Sequence, residues 1–212
     1  FVTLSKPKET VLKKLLISFL VIASFIRTHA ENIDSVYTQI MQSSDTMNNI
    51  TDLIGYAALN SHENHQLAME YYHRAEALAE NYSDTCANCI LYYGQGILSH
   101  GKSEYEKALD YYHKAYESSK ACHNTKILIN STNNMGVLNR YAENFPKAIE
   151  WYELALRFSR EYNDTLKMLH ALNNLGNVYH QSGDFNKAIQ QYENCLREIE
   201  NAGAYDFFRS SV

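Results

Sequence analysis

Four sets of residues recur at an interval of 40, and this interval limits what the chain can fold into more than any other feature. Gly96, Gly136 and Gly176 keep step. So do Ala68, Ala108, Ala148 and Ala188, and so do Tyr72, Tyr112, Tyr152 and Tyr192. The column Ala75, Ala115, Ala155 closes on Cys195, another small residue. Columns in phase over this length mark an internal repeat, in which each unit buries its apolar side only by stacking on a neighbour. Within a unit the stretch Leu172 to Leu196 reads as two helices. Leu172, Leu175, Gly176 and Tyr179 share one face of the first. Gly183-Asp184 breaks the chain. Ala188, Ile189, Tyr192, Cys195 and Leu196 then recur at helical spacing on the second.

Three motifs carry a resemblance. The Asn174–Tyr179 run, NLG-x2-Y, the turn Gly183 to Phe185, and the Ala-x3-Tyr-x2-small series of each second helix are similar to the tetratricopeptide repeat (TPR) family. The resemblance runs from about Ile50 to Leu196. It implies an all-α fold, a right-handed superhelical solenoid of antiparallel helix pairs. It also implies a scaffold that binds peptides or proteins and is not an enzyme. The expected units are 46–83, 84–123, 124–163 and 164–203, preceded by a lead-in or capping helix over 31–45. A unit of 40 exceeds the common ~34 residues, and the added length is expected at the end of each pair. Asp84-Thr85, Asn124-Thr125 and Asp164-Thr165 precede apolar runs and read as N-caps of the first helices. The next cap falls on Ala204, which cannot serve, with Asp206 two residues late. Residues 204–212 therefore read as the opening of a fifth unit.

Residues 1–30 differ in kind. Lys13-Lys14 precede an apolar run, Leu15 to Ile26, and Thr28-His29-Ala30 offers small residues where a signal peptidase cuts. The run is short for a bilayer span, which takes roughly 17 or more residues. Residues 1–30 are expected to be an export signal or leader, with an initiator near Val11 or Leu12. They carry a formal charge of +4, which leaves −9 on the rest of a chain of net −5. An acidic array is a poor phosphate binder, so nucleic acid is excluded as a partner of this segment. A leader followed by long units resembles the N-terminal region of bacterial envelope TPR regulators, which implies a periplasmic or envelope location and a membrane tether downstream. A free-standing envelope scaffold, or a cytosolic adaptor if residues 1–30 are no signal, are the alternatives.

The binding residues follow from the resemblance, since first helices line the inner groove in that family. Tyr93, Ile97 and His100 hold these positions in the second unit, with Ile90 and Gly94. Asn130, Asn133, Asn134, Val137, Arg140 and Tyr141 hold them in the third. His170, Asn173, Asn174, Asn177 and His180, with Gln181, hold them in the fourth. One end is apolar and aromatic and the other is rich in amides. An amide both donates and accepts, which matches the backbone of an extended peptide. The small residues Gly96, Gly136, Gly176, Ala108, Ala148 and Ala188 are expected where the helices of a unit cross closely. In each paired-aromatic position one ring is expected in the core and the other toward the next unit or the surface.

Cys86, Cys89 and Cys122 fall at helix ends that are neighbours in an antiparallel pair. A disulfide from Cys122 to Cys86 or to Cys89, a zinc site completed by His123, and small buried thiols are three readings of them. No metal or cofactor is assigned. The chain has no HExxH, no phosphate-binding glycine loop and no nucleophile elbow, and its carboxylates read as solvated helix faces.

Overall fold

The computed structural model describes residues 34–81 and 86–201. The leader, the cap expected at Asp84-Thr85 and residues 204–212 lie outside them. The chain divides into two compact units, Phe1–Asn49 and Ile50–Val212. In the first, the described residues hold α1 (34–40), followed by a turn. Asp45 Oδ1 accepts the amide of Asn48 at 3.0 Å and opens α2 (Thr46–Asn60), which continues into the second unit.

Among the described residues the second unit is entirely helical. After α2 come α3 (His65–Asn81), α4 (Ala87–Gly101), α5 (Tyr105–Ala121) and α6 (Thr125–Tyr141). Then follow α7 (Phe145–Glu161), α8 (Thr165–Gln181) and α9 (Phe185–Asn201). The helices α5 to α9 are equal in length, and the links between them are equal too. Helix starts at Tyr105, Thr125, Phe145, Thr165 and Phe185 are therefore evenly spaced, at half the repeat interval. The added length expected at the end of each pair is instead shared equally by both helices.

The links explain the even division. Each holds its middle residue in the left-handed region: Ser103, His123, Glu143, Asn163 and Gly183, with φ between 55° and 83°. In the third, the Ala142 amide donates to Leu138 O, Glu143 to Arg140 O and Asn144 to Asn139 O, at 2.9–3.0 Å. This satisfies the last carbonyls of one helix by a Schellman-type turn. The last link residue then caps the next helix, as Asn124, Asn144, Asp164 and Asp184 accept the amides of Ile127, Lys147, Lys167 and Lys187. The chain thus closes one helix and opens the next within one short link, at both kinds of junction.

Successive helices pack in sequence order from α3 to α9. The closest approach is a glycine against a tyrosine ring. A Cβ on Gly96 would lie 2.5 Å from Tyr112 Cδ1, and one on Gly136 would lie 2.6 Å from Tyr152 Cδ1. A Cβ on Gly176 would likewise run into the Tyr192 ring. Tyr112 and Tyr152 are at most 1% exposed, so neither ring has room to yield. Ala108, Ala148 and Ala188 are buried beside them. The earliest pair departs from this. Tyr56 takes the glycine position, and its ring lies beside that of Tyr71, with centroids 5.4 Å apart. Both Tyr71 and Tyr72 are buried, and the Tyr72 ring lies against Gly94 of the next unit, one of the two directions expected for a ring outside the core. In the later pairs Tyr111 and Trp151 are only partly buried.

Gly136→Val forces a branched side chain into the Tyr152 ring and is expected to destabilise the fold by roughly 1–3 kcal/mol. Urea denaturation followed by circular dichroism measures this, and an unchanged midpoint would remove the contact as a determinant of packing. Glu143→Gly relieves a left-handed non-glycine residue and is expected to stabilise by about 0.5–1 kcal/mol after the entropy it returns to the unfolded chain. A midpoint that falls in the same assay would show that the Glu143 side chain contributes more than its backbone strain removes.

Candidate functional site

The first helices α4, α6 and α8 touch one another in succession, α4 on α6 and α6 on α8. Their contact aligns the polar positions of three units into one row. At its early end Tyr93 is half-buried, with its ring 5.8 Å from that of Tyr112. Burial pushes the Tyr93 phenol up to about 12, while a hydrogen bond with Asn134 acts the other way. Asn134 acts on the buried Tyr112 phenol in the same direction, so one amide of α6 lies near rings from α4 and α5.

The amides of the later units are linked across helices. Asn174 Nδ2 donates to Asn133 Oδ1 at 2.8 Å, joining α8 to α6. Tyr192 Oη donates to Asn177 Oδ1 at 2.8 Å. Arg140 Nη1 donates to Gln181 Oε1 at 3.2 Å, and its guanidinium lies over the Tyr141 ring at 5.0 Å. Each bond uses part of a group and leaves the rest. The Asn133 and Asn177 amide nitrogens and the Asn174 carbonyl keep their capacity, in side chains already held in place.

The other residues expected in the row divide by exposure. Asn173, Tyr141, His170 and His180 are exposed, and Asn130 is half-buried. Ile97 and Ile90 lie in the core, and Val137 packs against the apolar cluster of α7 and α8. Gly94 is buried where a Cβ would meet Ile54. His100 sits at the edge of the row, 5.7 Å from His62, 5.9 Å from Tyr105 and 6.0 Å from Tyr141 between ring centroids. Burial, and then His62, hold its imidazole below the ordinary value. His180 stands edge-on to Phe185 at 5.4 Å.

Residues 127–197 match the sequence profile of the tetratricopeptide repeat. Solved structures of similar fold include aspartyl phosphate phosphatase F from Bacillus subtilis, with TM-score 0.67 and 14% identity over 82% of this chain and 46% of that one. A Rap protein complexed with competence and sporulation factor matches with TM-score 0.67 and 16% identity over 80% and 48%. NprR in complex with its cognate peptide NprX matches with TM-score 0.56 and 17% identity over 91% and 56%. The helix pairs of the stretch 127–197 are tetratricopeptide repeats. At these identities the likeness establishes the fold, and the chain spans about half the length of the structures it matches. No curated protein sequence is significantly similar to it.

The pair formed by α4 and α5 is closed at its far end. Cys86, at the start of α4, forms a disulfide with Cys122, at the end of α5, with their Cα atoms 5.5 Å apart. The pairing left open between Cys86 and Cys89 thus falls on Cys86. Cys89 turns into the core with no exposed surface. Cys195 is partly buried, with Sγ 3.7 Å from Leu169 O, as its packing column implies. Among the described residues no group of three His, Cys, Asp or Glu side chains is placed to hold a metal, and no helix is long and apolar enough to cross a membrane.

Two features of the site are absent from the sequence reading. The tyrosines of the second helices reach the row with their hydroxyls, as Tyr192 does at Asn177. Their constant offset from each glycine is a signal, but a column of that kind reports packing before it reports a hydroxyl. The amide pair between units is the other. Asn133 and Asn174 are 41 apart, one step out of the repeat, so no column shows them.

Proposed function

We propose that the first-helix row of this TPR array is a peptide-binding groove, and that the chain is a non-enzymatic interaction module. The observation that carries the reading is the set of half-used amides. Asn133, Asn174 and Asn177 are each fixed by one bond from the protein and each keeps a donor or acceptor for another. An extended peptide presents the complementary groups at regular spacing. Such groups are costly to leave unpaired and cheap to align when already held, which favours binding through preorganisation. The Rap protein with competence and sporulation factor and NprR with its cognate peptide, both of similar fold, support the same mode.

The module is an exported sensor or interaction region of a larger bacterial regulatory protein. The basic start and apolar run ahead of Thr28-His29-Ala30 support export. The Cys86–Cys122 disulfide supports it independently, since such bonds persist in oxidising compartments.

Asn130→Ala combined with Asn173→Ala removes two amides of the row outside its internal bonds. Fluorescence anisotropy against labelled hexapeptide pools is expected to show binding weakened by about tenfold, near 1.4 kcal/mol, with the melting temperature kept. Wild-type protein that binds no pool would overturn the groove. Alkylation of thiols in intact cells, before and after reduction, reads the compartment. Cys86 and Cys122 are expected to be protected until reductant is added, and their full modification at the outset would place the protein in a reducing compartment.

A further inference from the structure

The acidic side chains of the array are sorted by helix. α4, α6 and α8 contain no Asp or Glu, and α3, α5, α7 and α9 carry three each. Several of these pair with a cation one turn away: Glu70 with Arg74 at 3.2 Å, Asp110 with Lys114 at 2.7 Å, and Glu117 with Lys120 at 3.4 Å. Glu76 on α3 does not. Among the described residues no Lys or Arg comes within ion-pair distance of it. Tyr72 Oη donates to its Oε1 at 3.4 Å, and His73 Nδ1 lies 3.3 Å from its Oε2. Both contacts are long for hydrogen bonds to a carboxylate. Burial, and then the Glu76 carboxylate, hold the Tyr72 phenol above its ordinary value and keep it a donor, while the Gln95 amide acts the other way.

Glu76 stands in the wall of a groove of about 260 Å³ that runs between α3 and α5 over α4. Tyr72, Gln95, Ser99 and Tyr111 line it with Met69 and Leu98, and no residue of the first-helix row does. The repeat explains why it is open. The place of Glu76 is held by Tyr116 in the next pair and by Leu156 in the one after, and the place of Gln95 by Met135 and Leu175. Met135 and Leu175 are at most 2% exposed, and Leu156 is buried. Tyr116 fills its own junction, with its ring 5.9 Å from that of Trp151 and 6.5 Å from that of Phe158. Where that junction has Trp151 and Phe158, the earlier one has Tyr111 and Ser118. Two positions that pack as apolar contacts later in the array thus carry a carboxylate and an amide here, and the rings that would close the gap are smaller or missing. Polar groups at positions the repeat otherwise packs break the local pattern in the way expected of a functional site.

We propose that the groove between α3 and α5 is a second binding site, separate from the first-helix row, for a small organic amine whose ammonium group is held by Glu76. The charges at its other end offset one another. Lys102 lines that end, about 10 Å from Gln95 along α4. Glu104 lies there too, and Lys107, at 3.0 Å, and then Lys102 hold its carboxyl below the ordinary value. The charge of Glu76 is left unbalanced within the groove, which favours a cation over an anion. An ammonium group brings three donors, enough to engage both carboxylate oxygens at ion-pair distance. Met69, Leu98 and the Tyr111 ring receive an apolar body beside it. The volume lies just under the range of pockets for drug-sized ligands, about 300–1,000 Å³, so that body is a single ring or a short chain.

The test is a ligand-observed NMR titration of the 212-residue protein with three compounds of one size. Phenethylamine carries an ammonium group on an apolar body, phenethyl alcohol has the same body without charge, and phenylacetate is an anion. Phenethylamine is expected to bind with a Kd of about 1 mM or tighter. It is expected to bind about tenfold tighter than either of the others, with the preference shrinking as salt rises. Glu76→Gln is expected to remove that preference and keep the melting temperature, because its amide oxygen still accepts from Tyr72. Glu76→Tyr, which sets the side chain of Tyr116 into the earlier junction, is expected to fill the groove, abolish phenethylamine binding and keep or raise the melting temperature. Binding of the alcohol or the acid as tight as that of the amine overturns the site. So does undiminished amine binding by either variant, or no amine binding up to about 10 mM.

Discussion

The contact between a glycine of one helix and a tyrosine ring of the next is the constraint on which the rest of the array depends. At Gly96, Gly136 and Gly176 the first helix presents bare backbone, and the ring of Tyr112, Tyr152 or Tyr192 lies against it. The glycine costs helix propensity, about 1 kcal/mol relative to alanine. That cost is offset by burying an aromatic side chain at close range, and close range sets the distance between the two helices. It also aims the phenol oxygen. A ring laid across the glycine points its hydroxyl past the first helix, toward Asn134, Arg140 or Asn177 according to the unit. Packing and the placement of the polar row are therefore parts of one device. The column that holds the hairpin together also supplies the second layer of the row.

The links make that device repeat. Because each helix from α4 to α8 is closed by a left-handed residue and the next opened by the residue that follows it, the chain reverses in the same way at five successive links. Helices of equal length keep each glycine opposite its tyrosine, with no slack to absorb. Ser119 and Ser159, at matching places near the ends of α5 and α7, bond back to carbonyls of their own helices and fill the space where the chain turns. Only Gly183 of the five left-handed positions is a glycine, so the geometry is imposed by the turn and the packing, not by local preference.

The fold was legible in the sequence because it rests on small residues at fixed intervals, and a missing side chain is visible in a sequence. The columns at Gly136 and Ala148 state where helices approach, and the Asn124 and Asp164 caps state where helices begin. The half-repeat was harder to see. Its links share a conformation but not a residue type, since Ser103, His123, Glu143 and Asn163 have little in common as side chains. The first pair differs from the later ones for the opposite reason. Tyr56 in place of a glycine cannot admit a ring onto the backbone, so it recruits Tyr71 beside it, and both members of a tyrosine pair go inside. The site was legible only as a set of positions. Which amides are bound to one another depends on contacts such as Asn133 with Asn174, out of phase with the repeat, and no column reports them.

The sorting of charge between the two helix layers follows from the same geometry. First helices are flanked by other first helices as well as by second helices, so their polar side chains face one another at short range. A carboxylate placed there would meet its own repeat in the next unit, and like charges at short range in a partly buried row are unfavourable. Amides avoid that conflict because each can donate to one neighbour and accept from another, and Asn174 donates to Asn133 in this way. Second helices meet laterally through rings, as Tyr116 of α5 does with Trp151 and Phe158 of α7, and pair charges along their own length, as Lys114 does with Asp110. A cation in the first-helix row has no such partner within its helix. Arg140 instead donates to Gln181 of the next first helix and lies over the Tyr141 ring.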